Sequence, residues 1–297
     1  MIESKTRWVP LKFDLMAKKI FGDSEDKKAI KFLLNQILGI NPKEVTVLNT
    51  EIIDKPYKDK KFEVDLLVVV EDDTIIGVEI NTDVSKAITN RNLFYMCRIM
   101  SRDLKPNESF NNLHKHIQIS FDFKGKEEIP IMSYRLINKE TGKILSDKME
   151  IVKVNVPYFY RICYNKSATL QERFIGLLNE EDGNKAKLLI RGDKNMEDLY
   201  DKIVENSDEE IIGLYDLESH RREVERSVME EAVEQGHAQG LAQGHAQGHA
   251  QGLEEGLEQG IKQEKENITR NMLKEGIDLD LIAKLTGLST EEINNFK

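Results

Sequence analysis

The 297-residue sequence has only two cysteines, six prolines and one tryptophan, and it has no long apolar segment. Two cysteines, Cys97 and Cys163, are too few for a disulfide framework, so we expect reduced thiols in a reducing compartment. No apolar run approaches the roughly 20 residues that a membrane-spanning helix needs. The first residues, 1–5, lack the apolar segment of a signal peptide. These absences predict a cytoplasmic protein with no membrane partner.

The net charge of −10 is distributed unevenly along the chain. Residues 1–125 contain 20 Lys and Arg against 19 Asp and Glu, whereas residues 126–297 contain 23 against 34. A polyanion such as a nucleic acid is therefore expected to bind the first part of the chain, through a local basic patch. Binding of this kind is modest in affinity and sensitive to salt.

Two acidic residues, Asp65 and Glu79, interrupt apolar runs that otherwise predict the two strands of a β-hairpin. The runs are 62–70 and 75–81, with an acidic, turn-like segment between them. If the turn centres on Asp72, Asp65 lies opposite Glu79 and the two carboxylates share one face. Opposed like charges destabilise a sheet, so a divalent cation is a natural partner. A solvated acidic face and a register shifted by one residue are the alternatives.

The opposite face of this hairpin is wholly apolar, which specifies its register. That face carries Phe62, Val64, Leu66, Val68, Val70, Ile76, Val78 and Ile80. The other predicted elements are helices 12–22 and 23–38, a strand 45–53, a helix 85–104, an alternating strand 114–123, a hairpin 130–156 and charged helices from Leu170 onward. The order predicts an α/β fold, a sheet flanked by helices with an α-helical C-terminal region. On the alternating strand, a solvent-facing edge is favoured over a metal site for His114 and His116.

Residues 234–263 form a four-residue repeat with glycine at every fourth position. The glycines are Gly236, Gly240, Gly244, Gly248, Gly252, Gly256 and Gly260. At about 100° per residue, they trace a slanted groove around a helix, and each costs an isolated helix about 1 kcal/mol relative to Ala. Small residues at this spacing allow a second helix to approach closely. We therefore predict a helical stalk that makes the chain a homo-oligomer, with a flexible linker as the alternative.

The C-terminal residues 264–297 resemble two short helices with a turn between them. Gly287 supplies the turn, and Ser289 or Thr290 is placed to cap the second helix. From Ile261 onward the chain has 6 basic and 7 acidic residues. This balance favours a protein-binding pair of helices over a reader of the DNA groove.

Five motifs occur in a fixed order along the chain: residues 13–22, 64–67, 77–81 and 91–95, and the glycine-repeat tail. Together they resemble the recombination-promoting nuclease/putative transposase family of the PD-(D/E)XK superfamily. The resemblance covers nearly the full chain and implies a restriction-endonuclease-like mixed sheet. It divides the chain into a nuclease core 1–165, a helical region 166–233, the repeat 234–263 and a small helical hairpin 264–297.

The function that this resemblance implies is that of a Mg²⁺-dependent DNA endonuclease with low sequence specificity. Mn²⁺ is a second candidate ion. Asp65 matches the first metal-binding acid of the motif and Glu79 the acid of its second strand. Ile80, through its main chain, completes the implied set of metal ligands.

Three further residues match positions of the family outside the acidic pair. Asp14 matches an N-terminal acidic position that adds a carboxylate to the metal site, although a plain helix cap is an equal alternative. Arg91 and Tyr95 match positions on the helix after the hairpin, where we expect them to bind phosphate. With Arg98 and Arg102 they form one stripe, for which a solvated basic face is the alternative.

Asn81 departs from the pattern, because the superfamily usually has Lys and this family often has Gln at that position. A lysine steers the attacking water or offsets developing charge, whereas Asn offers only neutral hydrogen bonds, with which it could still position a water. Lys86 is a nearby basic candidate to compensate for the change. The departure supports an alternative function, a catalytically impaired member that acts as an oligomeric interaction or regulatory protein.

Overall fold

The computed structural model describes residues 6–48, 64–83, 85–126 and 128–296. The helices are α1 Asp14–Phe21, α2 Lys28–Leu38, α3 Lys86–Met100, α4 Val156–Ile162, α5 Leu170–Leu178, α6 Gly183–Leu189, α7 Lys194–Asn206, α8 Glu209–Lys274, α9 Leu279–Thr286 and α10 Thr290–Asn294. The strands are β1 Val45–Val47, β2 Leu66–Val70, β3 Ile75–Asn81, β4 His116–Asp122, β5 Ile131–Tyr134 and β6 Met149–Asn155. Two compact units divide the chain, Met1–Glu218 and Ser219–Lys297. Among the described residues, no helix has the length and apolar character to cross a membrane.

The first unit is built on a six-stranded mixed sheet in the order β1-β2-β3-β4-β6-β5. Strands β3, β4 and β6 run parallel, and the remaining pairs are antiparallel. The main core packs the N-terminal helices and α4 to α7 against one face of this sheet. Helix α3 packs on the other face, where Ile99 contacts a smaller apolar cluster. The predicted mixed sheet with flanking helices is confirmed.

The hairpin of β2 and β3 has the register that the sequence predicts. Leu67 pairs with Gly77 and Leu66 with Val78, which is the register of a turn centred on Asp72. Strand β2 begins at Leu66, which places Asp65 immediately before it. The predicted alternation does not extend back through Asp65, because Val64 packs with the α3-side cluster instead of the main core.

Several helices and strands begin or end at other residues than the sequence predicts, because tertiary contacts and local side-chain hydrogen bonds decide where an element starts. Helix α2 begins at Lys28 and not at Asp23, since the Asp23 carboxylate accepts from the main chain of Glu25 and closes a turn. Helix α3 ends at Met100, before the predicted residue 104. The predicted strand 45–53 is observed over Val45–Val47, and residues 49–53, like Phe62 of the hairpin, lie outside the described residues.

Strand β4 lies in the middle of the sheet, which contradicts the solvent-facing edge expected for its histidines. It pairs in parallel with β3 on one side and β6 on the other, and all of its residues are buried. His116 is only 2% exposed. His114 precedes the strand, and its Nδ1 lies 2.6 Å from Oδ1 of Asp103. Parallel strands covered on both faces bury even their polar residues.

In the second unit, the glycine repeat lies within the long helix α8. Its residues are exposed throughout the repeat. The repeat is helical in this structure, and its role as a stalk stays a prediction. Helices α9 and α10 follow, with Gly287 between them at φ 71° and the Ser289 hydroxyl accepting from the main chain of Glu292. This is the predicted turn and cap.

Gly176 of α5 lies in close contact with Cys163 at the end of α4. A methyl group there would lie 2.4 Å from Cβ and 2.5 Å from Sγ of Cys163, closer than real contacts allow. We expect Gly176→Ala to lower the free energy of unfolding by about 1–3 kcal/mol, the usual cost of overpacking. Gly213→Ala is the matched control, because a methyl group at this helical position meets nothing within 4 Å. It should raise stability by about 0.5–1 kcal/mol. Urea denaturation measures both, and similar changes in the two variants would contradict the close contact.

Candidate active site

Five charged side chains gather around Asp65, immediately before β2. They are Asp14 and Lys18 of α1, Asp65 before β2, Glu79 of β3 and Arg91 of α3. The main-chain N–H of Ile80 donates to Oδ2 of Asp65 at 2.7 Å, which ties the Asp65 carboxylate to the strand that carries Glu79. Asp65 and Glu79 therefore converge, as the register of the hairpin predicts.

Glu79 is buried and not solvated, which removes the alternative of a solvated acidic face. Its side chain is 2% exposed in the middle of β3. Arg91 Nη2 donates to its Oε2 at 3.2 Å, while its Oε1 has no hydrogen-bond partner among the described residues. Burial and then the negative charge of Asp65 raise the pKa of Glu79 to about 8, although Arg91 acts in the opposite direction. A pKa this high means that the positive charge nearby does not fully balance the negative charge of the ionised Glu79.

Asp65 is partly buried beside cations from both α1 and α3. Lys18 Nζ lies 3.9 Å from its Oδ1. Burial raises the pKa of Asp65, and the nearby negative charge of Asp14 raises it further, whereas the Ile80 N–H, Lys18 and Arg91 lower it. The net direction is upward, so this acid too favours an added cation.

Asp14 is close enough to act on Asp65 through its charge. It is the first residue of α1, and its own Oδ1 accepts from the main chain of Leu15 at 2.8 Å. The capping position belongs to Phe13, whose side chain makes no capping bond. Within the described ranges, no three or more His, Cys, Asp or Glu side chains form a group that could hold a metal ion. The pair Asp65 and Glu79 is therefore the carboxylate set that the structure brings together.

Arg91 connects the acidic pair to Asn81. Besides Glu79, its Nη2 donates to Oδ1 of Asn81 at 3.1 Å, and its guanidinium lies over the ring of Tyr95 at 5.6 Å. The Arg91 side chain is 43% exposed, so part of the guanidinium faces solvent. Tyr95 also packs against the apolar cluster under α3. Of the two residues expected to bind phosphate, Arg91 contacts Glu79 and Tyr95 lies against Arg91, whereas Arg102 lies beyond the end of α3.

The side chain of Asn81 is fully hydrogen-bonded within the protein. Its Nδ2 donates to Ser120 Oγ at 2.7 Å and to Asp122 Oδ1 at 3.0 Å. Its Oδ1 accepts from Arg91 and, at 3.4 Å, from Asn92. Both amide hydrogens and both lone pairs are thereby used. Asn81 orients Arg91, and no hydrogen-bonding position is left with which it would place a water.

Sequence reasoning missed most of the network around Asn81. Asp122 also pairs with Lys153, whose Nζ lies 2.9 Å from its Oδ2. These side chains line a cavity of about 210 Å³, together with Lys86 at the start of α3. The alternation of β4 did place Ser120 and Asp122 on one face. Their partners come from β3, β6 and α3, which local patterns do not connect.

The protonation of Glu79 makes stability depend on pH. Its pKa is raised from 4.5 to about 8 in the folded chain, so the folded chain keeps a proton that the unfolded chain loses. Between pH 5 and 8, with EDTA present, the free energy of unfolding should therefore fall as pH rises, by up to about 1.4 kcal/mol per pH unit. Glu79→Gln should remove this contribution and stabilise the chain at pH 8. Glu44→Gln, an exposed control, should keep the slope in urea denaturation. An unchanged slope in Glu79→Gln would contradict the raised pKa.

Comparison with family models places these features in a known group. The model described as PD-(D/E)XK nuclease family transposase matches residues 11–232. The model described as the C-terminal HTH domain of the Rpn/YhgA-like nuclease family matches residues 262–297. A search of curated proteins and a search of solved structures each found no match. The end of α8 together with α9 and α10 is thus similar to the helix-turn-helix domain of a nuclease family, which supports DNA binding. The preference for a protein partner rests on its charge and stays a prediction.

The first match covers the sheet, its flanking helices and all five charged residues of the candidate site. The second covers the residues that follow the glycine repeat. The first match agrees with a restriction-endonuclease-like fold, whose mixed sheet carries the acidic hairpin. The chain therefore belongs to the PD-(D/E)XK nuclease family transposases, the recombination-promoting nuclease/putative transposase family.

Proposed function

We propose that this chain is a Mg²⁺-dependent DNA endonuclease of recombination or transposase type that hydrolyses phosphodiester bonds with low sequence specificity. The observation that carries the proposal is the convergence of Asp65 and Glu79 beside Arg91. The family of nucleases to which the chain belongs supports it.

The residues at the site fit a divalent cation. Mg²⁺ takes one or two carboxylates, with water and phosphate oxygens as its other ligands. Glu79 Oε1 is buried without a hydrogen-bond partner among the described residues, and both acids have a raised pKa. Asp65, Glu79 and the main chain of Ile80 are the groups that we propose hold the ion. When bound, Mg²⁺ would supply an acidified water and positive charge at the phosphate.

The reaction replaces one oxygen on phosphorus with another. The oxygen of a water forms a bond to phosphorus, the bond from phosphorus to a sugar oxygen breaks, one proton leaves the water, and the sugar oxygen gains a proton from solvent. Ile80 N–H holds Asp65 in place for this step. Arg91, held by Glu79 and Asn81, presents its exposed part to the phosphate. The Tyr95 ring packs against the Arg91 guanidinium and helps to hold it in place.

Low sequence specificity follows from the kind of contacts that these residues offer. Arg91 and the acidic pair act on the phosphate, which is the same in every nucleotide, and phosphate contacts position DNA without reading its sequence. The first part of the chain has nearly balanced charge and the remainder is acidic. Binding then depends on a local patch and weakens as salt rises.

A second candidate function is that of a catalytically impaired, oligomeric interaction or regulatory protein. The observation that favours it is the fully bonded side chain of Asn81, which replaces the usual Lys or Gln. In that case the buried acids and Arg91 would serve the fold alone.

Plasmid nicking separates the two functions. The purified full chain should nick supercoiled plasmid in Mg²⁺ or Mn²⁺ and not in EDTA. Asp65→Asn and Glu79→Gln should each lower the rate by about 100-fold or more, because each removes a proposed metal ligand. Asp73→Asn is the matched control, since Asp73 is an exposed turn residue of the same hairpin at φ 60°, a conformation that Asn tolerates.

Two outcomes would contradict the leading proposal. Nicking that survives both Asp65→Asn and Glu79→Gln would assign the activity to another site or to a contaminant. Absence of nicking by the unmodified chain with either metal would favour the interaction protein.

We also propose that the stalk, residues 234–263, makes the chain a homo-oligomer. Seven glycines at about 1 kcal/mol each weigh heavily against a lone helix, yet the repeat is helical throughout. A methyl group at any of these glycines would meet nothing within 4 Å in the single chain. Apolar residues that directly follow a glycine of the repeat, such as Leu253 and Leu257, are exposed. A second copy packed against this surface would supply the missing stabilisation.

Sedimentation equilibrium of the full chain tests the stalk. The unmodified chain should sediment as a dimer or larger. Gly244→Leu with Gly248→Leu should shift it to monomer, because the larger side chains keep the helices apart. Gly244→Ala with Gly248→Ala is the matched control and should leave the chain associated. A monomeric unmodified chain, or leucine variants that associate normally, would contradict the proposal.

A further inference from the structure

The site contains a lysine that comes neither from the strand motif 77–81 nor from its immediate neighbours in sequence. Lys18 lies one helical turn after Asp14 on α1, and its Nζ is 3.9 Å from Oδ1 of Asp65. Its side chain is 27% exposed, so the ammonium group is partly withdrawn from water and still accessible. A partly desolvated cation acts more strongly on a nearby charge than a fully hydrated one.

The position that usually holds the lysine is closed to such a role here. Asn81 uses all of its hydrogen-bonding capacity on protein groups, and one of them is Arg91. Asn81 lies on β3, two residues after Glu79. Lys18 lies on α1, so the lysine near the acids comes from a different element than in the usual motif. The site therefore has a lysine, Lys18, near the acids, while Asn81 binds Arg91.

Other lysines near the site have different contacts. Lys153 pairs with Asp122, on the far side of Asn81 from the acidic pair. Lys86 is exposed at the start of α3. Lys19, the next residue along α1, is exposed and pairs with Asp208 at 3.3 Å. Among the described residues, Lys18 is the lysine whose ion pair is with the acidic pair.

Building on the proposed nuclease function, we propose that Lys18 is a catalytic residue that donates to a non-bridging oxygen of the scissile phosphate. An ammonium group has three donors, so it can keep its contact with Asp65 and bind a phosphate oxygen at the same time. Its charge offsets the negative charge that grows on these oxygens as the water attacks. Lys18 therefore acts mainly in the transition state.

The test uses the full chain with Lys18→Met, Lys18→Arg and the control Lys19→Met. In single-turnover cleavage of plasmid in Mg²⁺, Lys18→Met should lower the maximal rate by about 100-fold and raise the DNA concentration at half-maximal rate by a much smaller factor. Lys18→Arg should restore part of that rate because it keeps the charge. Lys19→Met should cleave as the unmodified chain does.

A second readout does not depend on cleavage. With Glu79→Gln in every chain to keep the DNA intact, the slope of log affinity against log salt should fall by about 0.9 in Lys18→Met, since one phosphate contact is lost. The slope should be unchanged in Lys19→Met. Melting temperatures check the fold, and Lys18→Gln replaces Lys18→Met if the latter unfolds.

The outcomes distinguish this inference from the proposed function. If the unmodified chain cleaves DNA and Asp65→Asn does not, but Lys18→Met matches the unmodified chain in rate and slope, the role of Lys18 is overturned and the nuclease stands. If the unmodified chain does not cleave, the nuclease fails. The salt slope then decides whether Lys18 contacts phosphate, because an unchanged slope rejects the contact.

Discussion

The enforced proximity of two buried carboxylates on one hairpin is the constraint on which the site depends. Glu79 is enclosed between β2, β4 and α3, and Asp65 is bound to the main chain beside it. Like charges in such a place need positive charge or a proton. In this fold the positive charge comes from Lys18 of α1 and Arg91 of α3, and Glu79 retains a proton near neutral pH. The positions of both helices against the hairpin are thus linked to the charge of the acids.

The hairpin could be predicted because its determinants are local. A turn centred on Asp72 fixes the pairing of Leu67 with Gly77, and no distant contact is needed to choose the register. The burial of His116 could not be predicted in this way. Its strand alternates like an exposed edge, and only the parallel neighbours β3 and β6 decide that it lies at the centre of the sheet.

The same distinction separates the parts of the site. Asp65 and Glu79 follow from a period of two within one hairpin, and Arg91 follows from the motif on the next helix. Lys18 and Asp122 do not, since their relation to the acids and to Asn81 is set by packing between elements tens of residues apart. The polar face of β4 was visible in the sequence, but its hydrogen-bond partners were not.

The balance of charge gives a physical reason for an amide at position 81. With Asp14 included, three acids face two cations, Lys18 and Arg91, so the five groups carry a net charge of −1 when all three acids are ionised. A third cation at position 81 would cancel this negative charge before any metal arrives and would weaken the attraction for a divalent ion. It would also remove the oxygen that accepts from Arg91. A neutral amide keeps Arg91 in place and leaves the affinity for a cation to the two carboxylates.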